Sequence, residues 1–190
     1  MKNCAQLPEN YEELFSMDLT RDKKLFRLVN GLAIAIGVVM VFLPSIPIKT
    51  LFDMSEGLGP YALRFAVMLG GLFAYIVLHE LVHGVCMKFF SGIKPRYGFS
   101  LGFAYAGSDA YFNKKSYIII ALAPVVLWGI VLAVLCNYVP ENWFWVFYTI
   151  QITNISGAAG DFYVTWRFSK LPADILVNDT GVAMTVFASK

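Results

Sequence analysis

RFAVMLGGLFAYIVLHELVHGVCMK, residues 64–88, holds 23 residues between Arg64 and Lys88 that are apolar except for His79, Glu80 and His83. A helix needs about 20 apolar residues to cross the hydrocarbon of a bilayer, so this stretch predicts a transmembrane helix. The flanking charges mark its ends, because a charged side chain at the bilayer centre is costly. Working outward by the same test, residues 28–48 are 21 uncharged positions in a row. Between Lys115 and Glu141 lie 25 uncharged residues, and between Glu141 and Arg167 another 25, charged only at Asp161. The predicted spans are therefore 28–48, 65–87, 116–139 and 142–166.

Composition agrees with that reading. The 190 residues are 58% hydrophobic and 15% charged, against about 45–50% and about 25% in soluble domains. A net charge of +2 is too small for an electrostatic nucleic-acid binder, so no nucleic-acid partner is expected. Sixteen Phe and ten Tyr exclude a disordered chain. Cys4, Cys86 and Cys136 are widely spaced and suit neither a disulfide framework nor a thiolate metal site. The first apolar segment follows 27 polar or mixed residues and lacks an A-x-A-like exit, so it reads as a span and not as a cleaved signal.

Lys and Arg favour the cytoplasmic side of membrane spans. Arg21, Lys23, Lys24 and Arg27 precede the first span, and Lys88, Lys94, Arg96, Lys114 and Lys115 separate the second from the third. Arg167 and Lys170 follow the fourth. The expectation is a multi-pass cell-membrane protein with both termini cytoplasmic. In fold class it is an all-α membrane protein of four transmembrane helices, with a short membrane-associated β-hairpin between helices 2 and 3. Residues 1–190 form one integral membrane domain, with a cytoplasmic lead at 1–27 and a tail at 168–190 that holds at most one short strand.

His79-Glu80-Leu81-Val82-His83 is an H-E-x-x-H string on the second span. Residues i and i+4 share a helix face, so the two imidazoles can chelate one Zn2+. Glu80 points elsewhere around the helix and can serve as general base toward water at the metal. Three ionisable groups inside one span are expensive and mark function by default. A catalytic zinc site takes three protein ligands. After Glu80 the acids are Asp109, Glu141, Asp161, Asp174 and Asp179, and only Asp161 falls inside a span. Asp161 lies six residues before Arg167, about 9 Å deep at 1.5 Å per residue. His83 and His79 lie five and nine residues before Lys88, about 8 and 14 Å deep. Asp161 is thus the candidate third ligand, the competing reading being a carboxylate paired with a neighbour such as Asn154 or snorkelling at the helix end. Asn154 itself reads either as an oxyanion donor or as an interhelical hydrogen bond.

Residues 97–105 alternate Tyr97, Phe99, Leu101, Phe103 and Tyr105 with small residues, a period-2 strand pattern. Gly107-Ser108-Asp109 supplies a turn, and Tyr111-Phe112 begins a return strand. Its edge can hold a substrate by strand addition, or the element is an interfacial hairpin anchored by aromatics.

H-E-L-V-H-G, A-L-A-P at 121–124 and N-I-S-G-A-A-G-D at 154–161 together resemble the site-2 protease group of intramembrane zinc metallopeptidases, and most nearly a little-characterised zincin peptidase branch. The chain reads G-D-F at 160–162 where that group usually has L-D-G. The resemblance implies that His79, His83 and Asp161 bind zinc, that Glu80 is the general base, and that Asn154 matches the group's Asn. It also implies a β-element beside the site, which places Tyr97, Phe99, Leu101, Phe103 and Tyr105 against substrate. The expected activity is zinc-dependent hydrolysis of a peptide bond in a transmembrane or membrane-associated protein near the cytoplasmic face, with the lipid bilayer as the other partner. The alternatives are a catalytically inactive zinc-binding scaffold or regulator, and a small metal or proton transporter. Glu80 favours the enzyme, since a structural site needs no base. Transporters often show repeated halves, which this sequence lacks.

Overall fold

The computed structural model describes residues 2–18, 21–100 and 103–190. Strand β1 (Tyr11–Asp18) leads into helix α1 (Lys23–Val41). The Asp22 carboxylate starts that helix by accepting the N–H groups of Lys24 and Leu25 at 2.9 and 3.0 Å, the chemistry of an N-cap. Pro44 and Pro47 follow α1, and the chain resumes as a 3-10 turn, Ile48–Phe52. Proline cannot donate the hydrogen bond that would continue the helix, so the span expected at 28–48 is helical only as far as Val41. Helix α2 (Leu58–Ser91) has 34 residues and is about 51 Å long, against about 30 Å of hydrocarbon. It exceeds the expected span 65–87 at both ends.

Strands β2 (Arg96–Ser100) and β3 (Phe103–Gly107) form a two-stranded antiparallel sheet. Strand β4 (Tyr111–Asn113) runs directly into helix α3 (Lys114–Tyr138), close to the expected 116–139. Helices α4 (Glu141–Gly157) and α5 (Ala159–Ser169) follow, then β5 (Leu176–Asp179) and β6 (Ala183–Ser189). Among the described residues, α1, α2 and α3 are long and apolar enough to cross a membrane. The segment expected as one span, 142–166, is two helices. They part at Ala158, whose φ of −77° and ψ of 12° leave the helical well. Gly157 beside it is among the weakest helix formers.

The fold is helical but not all-α, which corrects the expectation. A four-stranded antiparallel sheet of order β1-β6-β5-β4 joins the lead to the tail. The lead supplies β1, and the tail supplies two strands instead of one. Its β5–β6 turn uses Gly181 at φ +84°, a conformation open to glycine. The hairpin also differs from the expected one. Strands β2 and β3 both fall within or beside the alternating stretch, pairing Tyr97 with Ala106 and Phe99 with Ala104, while β4 joins the other sheet beside β5.

The chain divides into two compact units. The first comprises residues 1–29, 79–124 and 160–190. Its core holds the fully buried Phe112, Phe168, Ile175, Val177 and Val186 with Met87, Tyr117 and Ile120 from the helices. Burying such a side chain contributes about 1.5–3 kcal/mol. The second comprises residues 30–78 and 125–159, with Leu51, Met68, Trp145 and Val146 in one cluster and Tyr75, Leu132 and Ile150 in another. Arg64 is buried there, its guanidinium held by the Glu56 carboxylate at 2.9 Å and by the Asp53 carbonyl.

Candidate metal centre

All the groups of this centre belong to the first unit. His79 and His83 stand one turn apart on α2, their rings 4.8 Å apart at 78°. Both are largely shielded, with 11% and 12% of their side chains exposed. Asp161 lies in the first turn of α5. Its Oδ2 is 3.4 Å from His79 Nε2 and its Oδ1 is 3.7 Å from His83 Nε2. The helix break at Ala158 matters here, because it makes Asp161 an N-terminal residue, and helix N-termini favour negative charge.

These donors fit zinc in type and spacing. Two imidazoles and a carboxylate are a common catalytic set, and tetrahedral bonds of about 2.0–2.2 Å imply donor separations of about 3.3–3.6 Å. The observed 3.4 and 3.7 Å lie at that scale. The ligating atoms of His79, Glu80 and His83 also lie within 4.8 Å of one another.

His83 Nδ1 sits 2.9 Å from the Ile120 carbonyl oxygen on α3. An oxygen of that kind only accepts, so Nδ1 carries the proton and the Nε2 lone pair faces Asp161. Such orientation of a ligating imidazole by an outer acceptor is usual at metal sites. The sequence explains why the carbonyl is free. Its helical partner would be the N–H four residues on, and that residue is Pro124, inside α3. A-L-A-P thus leaves an acceptor open beside the second histidine.

Glu80 takes no part in the histidine–aspartate contact. Its Oε2 accepts the N–H of Ala106 on β3 at 2.8 Å. The glycine of H-E-L-V-H-G has a local role, since a Cβ on Gly84 would stand 2.2 Å from the Tyr97 hydroxyl. Behind the centre, the Tyr117 hydroxyl donates to Asp179 Oδ2 at 2.5 Å, and the Gly181 N–H donates to Oδ1 at 2.8 Å. Burial pushes the Asp179 carboxyl above the ordinary carboxylate range, against the pull of those two donors.

Of the aromatic positions singled out, Tyr97 and Phe99 are largely exposed and share one face of β2. Tyr105 pairs with Gly98, on the opposite face. Phe103 opens β3, and Leu101 lies outside the described residues. Asn154 belongs to the second unit and is fully buried. Its Oδ1 accepts from the Tyr75 hydroxyl at 3.0 Å and its amide donates to the Val125 carbonyl at 3.2 Å, interhelical bonds linking α4 to α2 and α3. Three features escaped the sequence reading: the freed Ile120 carbonyl, the Ala106 N–H and the Tyr117–Asp179 pair. Pro124 signals the first through the i−4 rule, whereas the other two depend on sheet geometry that no local pattern encodes.

Residues 72–176 match the family described as "Putative zincin peptidase", a stretch from within α2 to the start of β5 that contains all four groups of the centre. A protein of Pyrococcus woesei, described as an uncharacterized 24.7 kDa protein in the gap 5'region, is 29% identical over 118 residues. That alignment covers 60% of this chain and 51% of the relative, so the chain spans about half the length of the relative it matches. No solved structure matches the chain.

Proposed function

This chain belongs to that zincin peptidase family, and from that premise we propose that it is an intramembrane zinc-dependent endopeptidase cutting a membrane-associated protein near the cytoplasmic face. The observation that carries the reading is the convergence of His79, His83 and Asp161, with the Glu80 carboxylate beside them and bonded to the Ala106 N–H. Zinc, when bound, supplies Lewis acidity toward the scissile carbonyl and acidifies water at the site. The chain's own groups do the rest. His79, His83 and Asp161 hold the ion, and the Ile120 carbonyl keeps His83 in the tautomer that can ligate. Glu80 accepts the proton of the attacking water and returns it to the departing amine. The Ala106 N–H aims that carboxylate and links the base to the β2–β3 hairpin, whose edge receives an extended substrate. Tyr97 and Phe99, which share the exposed face of β2, line that approach.

In the same reading α4 and α5 together make a fourth, broken crossing, and both termini are cytoplasmic. Non-helical backbone at membrane depth is tolerated where it is buried in protein, and Ala158 and Ala159 at the break are fully buried. The test is Glu80→Gln in the full chain, assayed on a single-span membrane substrate in proteoliposomes. The variant keeps both imidazoles and its zinc but loses the base, so turnover should fall by about 10²–10⁴-fold. Wild-type turnover in Glu80→Gln would overturn the mechanism. A scaffold gives a different pattern, in which Glu80→Gln is harmless and the metal-free His79 and His83 variants fail.

A further inference from the structure

A second feature of the first unit lies where its helices meet their charges. The start of α1 and the end of α5 border a cavity of about 310 Å3, lined by Asp22, Lys24, Leu25, Leu28, Tyr163 and Arg167 among others. Leu28 begins the uncharged run 28–48, and Arg167 is the first charge after Asp161. The cavity therefore sits at the boundary between apolar and charged surface on both elements.

Arg167 is incompletely used. Its guanidinium lies 4.1 Å over the Phe15 ring and donates to Met17 Sδ at 3.1 Å and to the Tyr163 hydroxyl at 3.4 Å. A guanidinium has five N–H donors, and these acceptors are weak and neutral. Among the described residues neither Arg167 nor Lys24 forms an ion pair. The acid in the lining, Asp22, is already engaged at the N-terminus of α1. One wall is apolar, and Leu28 is 56% exposed. Alongside, Lys170 lies 3.8 Å over the ring of Trp166, which is itself 56% exposed. Amphipathic aromatics of this kind anchor proteins at membrane surfaces.

We propose that this cavity binds the phosphodiester headgroup of an anionic phospholipid. The Arg167 fork takes two phosphate oxygens, Lys24 adds a second cation, and the acyl chains leave past the exposed Leu28. The apolar wall favours a lipid over free phosphate. The inference needs α1 to lie in a bilayer but not the peptidase reading, so its test uses binding and not cleavage.

The full chain is placed in phosphatidylcholine nanodiscs and titrated with phosphatidylglycerol, with bound lipid counted by native mass spectrometry. Each cation near an anionic surface strengthens binding about fivefold, so Lys24→Gln with Arg167→Gln should weaken phosphatidylglycerol binding about 30-fold. Lys24→Gln alone, an exposed change that spares the fold, should weaken it about fivefold. Zinc content and melting temperature report folding independently. Unchanged phosphatidylglycerol binding in either variant overturns the proposal. So does inorganic phosphate displacing the lipid at equal concentration, since that marks a small-anion site.

Discussion

Replacing Pro124 by Ala should move fold stability and metal affinity in opposite directions. Pro124 lies inside α3, and its missing N–H leaves the Ile120 carbonyl to His83 Nδ1 at 2.9 Å. Alanine restores the N–H and returns that carbonyl to the helix ladder. Proline in a helix interior costs about 3 kcal/mol relative to Ala, which bounds the stabilisation from above. His83 meanwhile loses the acceptor that fixes its tautomer and ring plane. Loss of such an outer partner typically weakens metal binding about 10–100-fold, or about 1.4–2.8 kcal/mol at about 1.4 kcal/mol per tenfold. The assay is zinc competition with a chromophoric chelator on purified protein, beside thermal melting of the metal-free form. The expected result is a higher melting temperature with about tenfold or greater loss of zinc affinity. Zinc affinity within twofold of wild type would show that the Ile120 carbonyl does not orient His83. A fall in both quantities would show that Pro124 serves packing.

Asp161→Ala should lose zinc measured by elemental analysis, and stoichiometric retention would remove Asp161 as the third ligand. Gly107→Ala places a Cβ 2.2 Å from the Thr180 carbonyl oxygen, backbone that cannot swing aside. Overpacking of this sort costs about 1–3 kcal/mol, read as a lowered melting temperature, and an unchanged one would contradict the close approach of β3 to the β5–β6 turn. Asn154→Ala takes one partner from the Tyr75 hydroxyl and the side-chain donor from the Val125 carbonyl. It should cost about 1–3 kcal/mol of stability whatever happens to turnover. In a cysteine-free background, Ser55→Cys and Glu141→Cys should react with an impermeant thiol reagent from outside, whereas a cysteine at Lys190 should be protected. The reverse pattern would invert the proposed topology.

What the sequence disclosed follows physical range. Charge gaps of 21 to 25 residues are local, and three of the four became α1, α2 and α3. The i, i+4 spacing of His79 and His83 is equally local. Asp161 was reached by elimination among acids, a depth argument that needs no contact. The fourth gap holds two helices instead of one, because absence of charge reports apolarity and not helical continuity. Gly157, inside that uncharged run, marks the place where the helix stops. Asp179 reads from sequence as a tail residue, because nothing near it reveals that β5 pairs with β4 and brings it behind His83. The alternation at 97–105 falls on the strands β2 and β3, but period 2 does not reveal that the two pair with each other.

The pairing of β1 with β6 sets a timetable for making the protein. Asp18 pairs with Ala183, a separation of 183 − 18 = 165 residues. At about 5–20 residues per second of synthesis, the partner of β1 emerges about 8–33 s after it. The entropy of closing so long a loop grows only logarithmically with length, so the burden is one of waiting and not of equilibrium. During that interval the helices can enter the bilayer and His79, Glu80, His83 and Asp161 are all already made, yet β1 has no neighbour. The strand carrying Asp179 is translated near the close of that interval, so the metal centre acquires its backing only as the sheet is completed. Maturation of the site is thereby clocked by translation of the last strands.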